Sequence, residues 1–248
     1  MIEIRNVTKS FGGTKAVSDC SLSLAGLSIA GLIGPNGSGK TTLFNLITGL
    51  IRPDCGEITL EGQRIEGRMP YQMAGLGLIR TFQLSRVFPR LTVMDNMLLA
   101  PQGQAGERLW SLLFRFPRVR REEGENRERA AELLELLGII HLRGQFAGNL
   151  SYGQQKLLEL GRAVMAEPKV ILLDEPTAGI NPRLIQTMID MILKMKARGQ
   201  VFFIIEHNMD VVVELCERIF VLDHGEKIAE GSPREIQNDP RVIEAYLG

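Results

Sequence analysis

Cysteine is scarce in this chain: Cys20, Cys55 and Cys216 stand far apart, with no C-x-x-C pair. That spacing excludes a thiolate metal site and reads as ordinary reduced thiols of a cytosolic protein. Neither sign of charge is in excess, with 29 Lys plus Arg against 29 Asp plus Glu. The balance argues against a nucleic-acid binder held by bulk charge. No apolar run approaches the roughly 20 residues that a membrane-spanning helix needs. Met1-Ile2-Glu3-Ile4-Arg5 is too polar for a signal-peptide core. No internal repeat is visible. What is present is 248 residues with 44% hydrophobic content, enough for one large or two small domains with a proper core. A soluble protein is expected, with any membrane role arising through a partner.

The stretch Gly34-Pro35-Asn36-Gly37-Ser38-Gly39-Lys40-Thr41-Thr42 organises the rest. It fits G-x-x-x-x-G-K-[ST], a phosphate-cradling loop. The apolar run Leu27 to Ile33 reads as a buried strand before it, and Thr42 to Ile47 as a helix after it. Its glycines allow turns that a Cβ would forbid, so that successive N–H groups face one anion at a helix N-terminus. Lys40 would reach the β- and γ-phosphates, and the Thr41 hydroxyl would take Mg²⁺. The loop predicts nucleotide binding and leaves open what the nucleotide is used for.

Along the chain, Ile2, Ile4 and Val7 read as a first strand. Phe11-Gly12-Gly13 reads as a turn, and Ala16 to Leu24 as a second strand. Gly56 to Gly62 and Gly77 to Gln83 read as further strands. A helical pattern runs from Thr92 to about Gly138, with Ala130, Leu133, Leu134 and Leu137 on one face. Within it, the Arg-rich stretch Pro101 to Gly124 is less regular. It reads either as a helical hairpin packed on its own subdomain or as a basic face near membrane headgroups. A helix follows from Ser151, and another from Pro182 at an N1 position. Val170 to Leu173 and Val201 to Ile205 are fully apolar strands. Apolar strands alternating with helices imply a parallel sheet covered on both sides, with residues 84–166 as an insertion between two of its strands.

The polar residues that end these strands carry the chemistry. Asp174 and Glu175 follow Val170 to Leu173, so both carboxylates sit at a strand's C-terminal end, where parallel sheets bind ligands. Asp174 is assigned to the metal shell and Glu175 to the attacking water; the alternative is a solvated acidic turn. His207 ends the next apolar strand after Glu206 and would donate to a γ-phosphate oxygen or to that water. Gln83 offers a side-chain oxygen to Mg²⁺, or is simply a loop residue. Ser151 with Gln154 three positions later is a capping box at a helix start. The Ser151 hydroxyl and the Gly153 N–H at that helix N-terminus would also bind phosphate, and against a second copy's nucleotide they would make it the glue of a dimer.

These residues together resemble an ATP-binding cassette (ABC) ATPase subunit over essentially the whole chain. Gly34 to Thr41 resembles the Walker A motif, Gln83 the Q-loop glutamine and Leu150 to Gln154 the ABC signature. Ile171 to Glu175 resembles the Walker B motif with its catalytic glutamate, Ala178 to Asn181 the D-loop and His207 the switch histidine. Arg80-Thr81-Phe82-Gln83, Val87 to Val93, Ile205 to Asp210 and Glu244 to Gly248 are similar to the branched-chain (hydrophobic) amino-acid importer subunits. Tyr152 stands where most cassettes have Gly, and Ala25 to Ser28 replaces the usual Gly-Glu before the Walker A strand.

The resemblance implies a RecA-like α/β core formed by residues 1–83 and 167–248, with an N-terminal antiparallel β part and an inserted helical subdomain at 84–166. It implies ATP and Mg²⁺ as cofactors. It assigns catalysis to Glu175, His207 and Lys40, and metal ligation to Thr41, Gln83 and Asp174. Nucleotide contacts fall to Phe11 as an adenine-stacking ring, to Val17, to Gly34 through Thr42, and to Ser151, Gly153 and Gln154. Implied partners are a second ATPase subunit head to tail, membrane permease subunits and, indirectly, a substrate-binding protein, placing the chain on the cytoplasmic face of the cell membrane. A urea or short-amide importer, a soluble non-transport ABC ATPase and a P-loop kinase are the alternatives. The end at Gly248 leaves no room for a C-terminal regulatory domain.

Overall fold

The computed structural model describes residues 1–81, 87–103 and 116–247. The chain divides into two compact units, the first comprising residues 1–83, 168–177 and 192–248, the second 84–167 and 178–191.

The first unit contains two sheets. In one, β1 (Ile2–Phe11) pairs antiparallel with β2 (Thr14–Ser23) and with β4 (Cys55–Leu60), which carries the short β5 (Gln63–Arg64). The Gly12-Gly13 turn is tighter than its sequence suggests, because Phe11 still belongs to β1 and faces Thr14 across the hairpin. The other sheet has the order β10-β9-β3-β8-β7-β6. Its members are β3 (Ile29–Ile33), β6 (Leu78–Arg80), β7 (Val170–Asp174), β8 (Val201–Ile205), β9 (Arg218–Asp223) and β10 (Glu226–Gly231). Only the β9–β10 hairpin is antiparallel. Every residue of β3 and β7 is buried, as continuous apolar runs in a two-sided sheet require.

Helix α1 (Lys40–Ile47) follows β3 and sets Phe44 against the sheet, its ring 5.1 Å from that of Phe203, which in turn meets Phe220 edge-on at 6.2 Å. Rings of this size each contribute ~1.5–3 kcal/mol through burial, so the cluster anchors α1 firmly. The core continues through Ile2, Ile4, Leu24, Leu32 and Leu43 toward the antiparallel sheet. The short helix α2 (Pro70–Gly75) completes this part.

The second unit is helical, with α3 (Val93–Leu98), α4 (Phe116–Leu136) and α5 (Tyr152–Met165). Ala130, Leu133, Leu134 and Leu137 are all buried, the stripe that the 3.6-residue period predicts. Asn96 is fully buried but satisfied, accepting from Phe88 N–H at 2.9 Å and donating to Phe88 and Thr92 carbonyls at 3.0 and 2.9 Å. Helix α6 (Pro182–Ala197) is shared, with residues up to Met191 in this unit and the rest in the first. The chain closes with α7 (Met209–Leu215), α8 (Pro233–Gln237) and α9 (Pro240–Leu247). The Arg-rich stretch is helical from Phe116 onward, and its residues 104–115 lie outside those described.

Cys20 and Cys216 are buried, and burial pushes their thiols up to about 11 and about 12, whereas Cys55 is exposed on β4. A disulfide reagent such as DTNB at neutral pH should label one thiol per native chain and all three after denaturation. Rapid native labelling of a second thiol would show that one of these core positions opens.

Candidate active site

The loop between β3 and α1 folds as its glycines demand. Gly34 has φ 149° and Gly39 φ 102°, and a Cβ at either would strike backbone, at 2.0 Å from the Leu222 carbonyl oxygen or 2.2 Å from that of Ala16. Gly225 N–H donates to the Ser38 carbonyl at 3.0 Å, tying the loop to the β9–β10 turn. Lys40 is buried and its Nζ donates to the carbonyls of Gly34 and Pro35, both at 2.8 Å, and to Ser38 Oγ at 3.3 Å. Burial lowers its pKa, opposed by the nearby Glu175 and Asp174 carboxylates.

Parallel pairing brings the other polar groups to the same edge. Asp174 faces Ile205 across β7 and β8, while Leu32 of β3 faces Ile205 on its other side. Glu175 continues past β7 in the left-handed region, φ 48°, with its N–H on the Ile205 carbonyl at 2.9 Å. Its Oε1 lies 3.0 Å from His207 Nε2. A cleft of about 190 Å³ is lined by Asn36, Gly37, Gly39 to Thr42, Glu175, His207 and Ala16. It therefore gathers a loop of backbone donors, an ammonium, a carboxylate and an imidazole.

Asp174 is held from behind. Arg80 Nη2 donates to its Oδ2 at 2.6 Å, Arg80 Nη1 donates to Asn45 Oδ1 at 2.7 Å, and the guanidinium stacks 5.6 Å from the Phe44 ring centroid. Both partners of the ion pair are buried. Thr41 is exposed at the start of α1. One carboxylate and one hydroxyl are hard oxygen donors, which suits Mg²⁺ completed by phosphate oxygens and water. Among the described residues no cluster of three or more His, Cys, Asp or Glu side chains supplies a fuller cage.

Phe11 is half-exposed at the end of β1, with Lys9 Nζ over its ring, 5.6 Å from the centroid. Val17 requires a correction. It is fully buried in the core, and the neighbouring Ala16 is the residue of β2 that lines the cleft. Alternation along a strand puts adjacent side chains on opposite faces, so the two cannot both face the cleft. Gln83 lies outside the described residues. Ser151, Gly153 and Gln154 are in the second unit, where the capping box is formed: Ser151 N–H donates to Gln154 Oε1 at 2.9 Å, and Gln154 N–H to Ser151 Oγ at 3.4 Å. The sequence did not reveal Arg80, Asn45 or Ala16 as site residues; their only signal is proximity in the fold.

Beside the loop, a second cavity of about 660 Å³ is lined by Pro35 to Ser38, Asp223, His224 and, from α9, Arg241, Glu244 and Ala245. Burial raises the pKa of the Tyr246 phenol on α9, opposed by the nearby Gly34 backbone.

Residues 17–178 match the family described as ABC transporter, and residues 226–248 the one described as branched-chain amino acid ATP-binding cassette transporter. The chain is 40% identical to the probable branched-chain amino acid transport ATP-binding protein LivG of Archaeoglobus fulgidus, covering 100% of this chain and 95% of that protein. It is 40% identical to the high-affinity branched-chain amino acid transport ATP-binding protein LivG of Salmonella typhimurium, covering 100% and 98%. Among solved structures it is similar to a nucleotide-free ATP-binding cassette from an ABC transporter, with TM-score 0.83, 37% identity, and 100% and 99% coverage. It is also similar to an ATP-binding cassette of an ABC transporter in its ADP conformation, with TM-score 0.82, 36% identity, and 100% and 98% coverage. A dimeric bacterial ABC transporter cassette superposes with TM-score 0.74 at 25% identity, covering 94% of this chain and 99% of that one. The fold is thus the RecA-like P-loop α/β fold, and the chain belongs to the ABC transporter family of nucleotide-binding ATPases.

Proposed function

We propose that this chain is the ATP-binding and ATP-hydrolysing subunit of an importer that takes up branched-chain or other hydrophobic amino acids. The observation that carries the hydrolytic role is the single cleft in which Lys40 and the loop backbone face the Glu175–His207 pair. The cargo rests on the names of relatives aligned over the full chain and on the C-terminal match at residues 226–248.

Phosphoryl transfer asks for positioning and charge neutralisation more than covalent chemistry. The N–H groups of Gly37 through Thr41 and the Lys40 ammonium would take the β- and γ-phosphates. To reach them, Lys40 exchanges its bonds to the Gly34 and Pro35 carbonyls for phosphate oxygens. Glu175 accepts a hydrogen bond from the attacking water and orients it in line with the γ-phosphorus. His207 donates to the developing charge on the phosphoryl oxygens. Thr41, Asp174 and Gln83 would hold Mg²⁺, which would supply charge neutralisation at the phosphates. Phe11 stacks on the purine.

Ser151, Gly153 and Gln154 serve the nucleotide of a second subunit, so two chains close head to tail around two ATPs. Hydrolysis then loosens the dimer. The dimeric cassette among the structural relatives supports this arrangement. Membrane-embedded permease subunits transmit the cycle. No described helix is long and apolar enough to cross a membrane, so attachment would be peripheral.

Purified protein should release inorganic phosphate from ATP without any added acceptor; strict dependence on an acceptor would favour a kinase. Glu175→Gln should lower turnover by ~10²–10⁴-fold, keep ATP binding within a few-fold and favour a dimer in gel filtration. Full turnover in that variant would remove Glu175 from the chemistry. Arg80→Met should leave the buried Asp174 carboxylate without its guanidinium, costing ~3–5 kcal/mol in urea denaturation. A loss below ~1 kcal/mol would show that Asp174 is hydrated and only weakly dependent on Arg80. With the native permease in vesicles, a leucine-loaded binding protein should stimulate hydrolysis; stimulation by a urea-loaded one alone would reassign the cargo.

A further inference from the structure

Glu206 directly precedes His207 in the chain and takes no part in the chemistry above. Its carboxylate is buried, with 3% of the residue exposed. Oε1 accepts from the Thr177 backbone N–H at 2.9 Å and from the Thr177 hydroxyl. Oε2 accepts from the backbone N–H groups of His207 and Asn208 at 2.9 and 3.1 Å. A carboxylate has about four acceptor sites, and here all are used. The donors belong to two different loops, one leaving β7 and one leaving β8.

The position of this clamp matters. The β7–β8 ladder ends at the pair Asp174–Ile205, and the single backbone bond Glu175 N–H to Ile205 carbonyl extends it by one residue. Beyond that point, Glu206 supplies two hydrogen bonds across to Thr177 on the β7 continuation and two more to His207 and Asn208 in its own loop. Thr177 is two residues past Glu175, and His207 is the next residue after Glu206. Glu175 is itself in a left-handed conformation, which surrounding contacts must hold. The same carboxylate also fixes the start of α7, because Asn208 accepts from Asp210 N–H at 3.1 Å as its N-cap.

We infer that Glu206 is a positioning residue that sets the separation of Glu175 and His207 by clamping the loops that carry them. The inference rests on the hydrolytic role proposed above. An error of ~1 Å at a reacting group can cost ~10²-fold in rate, so a clamp of this kind bears on turnover without touching nucleotide. The carboxylate is required, because an amide presents N–H to one of the two donor pairs and releases that loop.

Glu206→Gln in the full chain tests it. The variant should lower kcat by ~10–100-fold while ATP affinity, read with a fluorescent nucleotide, changes by less than ~3-fold. In a His207→Ala background the same change should lower kcat by less than ~2-fold further, because the geometry being protected is already lost. A merely structural role would reduce kcat and binding together and multiply fully in both backgrounds. A kcat within ~2-fold of the parent, or full multiplication with His207→Ala, overturns the inference. Should Glu206→Gln fail to fold, Thr177→Val removes only the hydroxyl donor and should lower kcat by ~3–10-fold with the same non-additivity. If the parent chain hydrolyses no ATP, the proposed function fails; if it does and both variants match it, only the clamp fails.

Discussion

The register of β8 against its two parallel neighbours is the constraint on which the site depends. Ile205 pairs with Leu32 on one side and with Asp174 on the other, so three strands end at one level. Each then releases its chain into a loop, and the loops deliver Lys40, Glu175 and His207 to one cleft. A slip of one residue would turn every side chain to the opposite face of the sheet. The apolar runs of β3, β7 and β8 make that slip expensive, since almost all their residues are buried. Packing in the core thereby fixes positions at the polar edge.

Buried charge is the second theme. Lys40, Asp174 and Glu206 are each under 6% exposed, and each is met by opposing charge or by several dipoles. Lys40 turns onto loop carbonyls, Asp174 onto Arg80, and Glu206 onto four donors. An unpaired charge at such depth would cost several kcal/mol, so these networks hold side chains in defined places. Asp174 and Glu206 are therefore held in place without a ligand, whereas Lys40 rests on carbonyls of the loop.

Much of this was legible in the amino-acid order. The Gly34 to Thr42 stretch and the apolar strands ending in Asp174-Glu175 and Glu206-His207 identify both the loop and the edge. Ser151 with Gln154 gives the start of α5, and Pro182 that of α6. What stayed hidden depends on partners distant in the chain. Arg80 and Asp174 are 94 residues apart, and Thr177 and Glu206 are 29 apart. No local pattern announces such pairs. That Val17 faces the core and Ala16 the cleft was hidden for a different reason: bulges break the register of β1 against β2, so the facing of a single residue cannot be counted from the strand's start. The sharing of α6 between units is likewise a property of contacts rather than of helical period.

The left-handed backbone at Glu175 has an evolutionary consequence. A side chain with a Cβ at φ 48° carries strain of ~1–3 kcal/mol that glycine would relieve. Under the proposed function, replacing this carboxylate by glycine would therefore remove strain and chemistry together. Stability and turnover pull in opposite directions at this one position. Mutation filtered for folding alone would drift away from glutamate here, so only selection on the reaction can keep it.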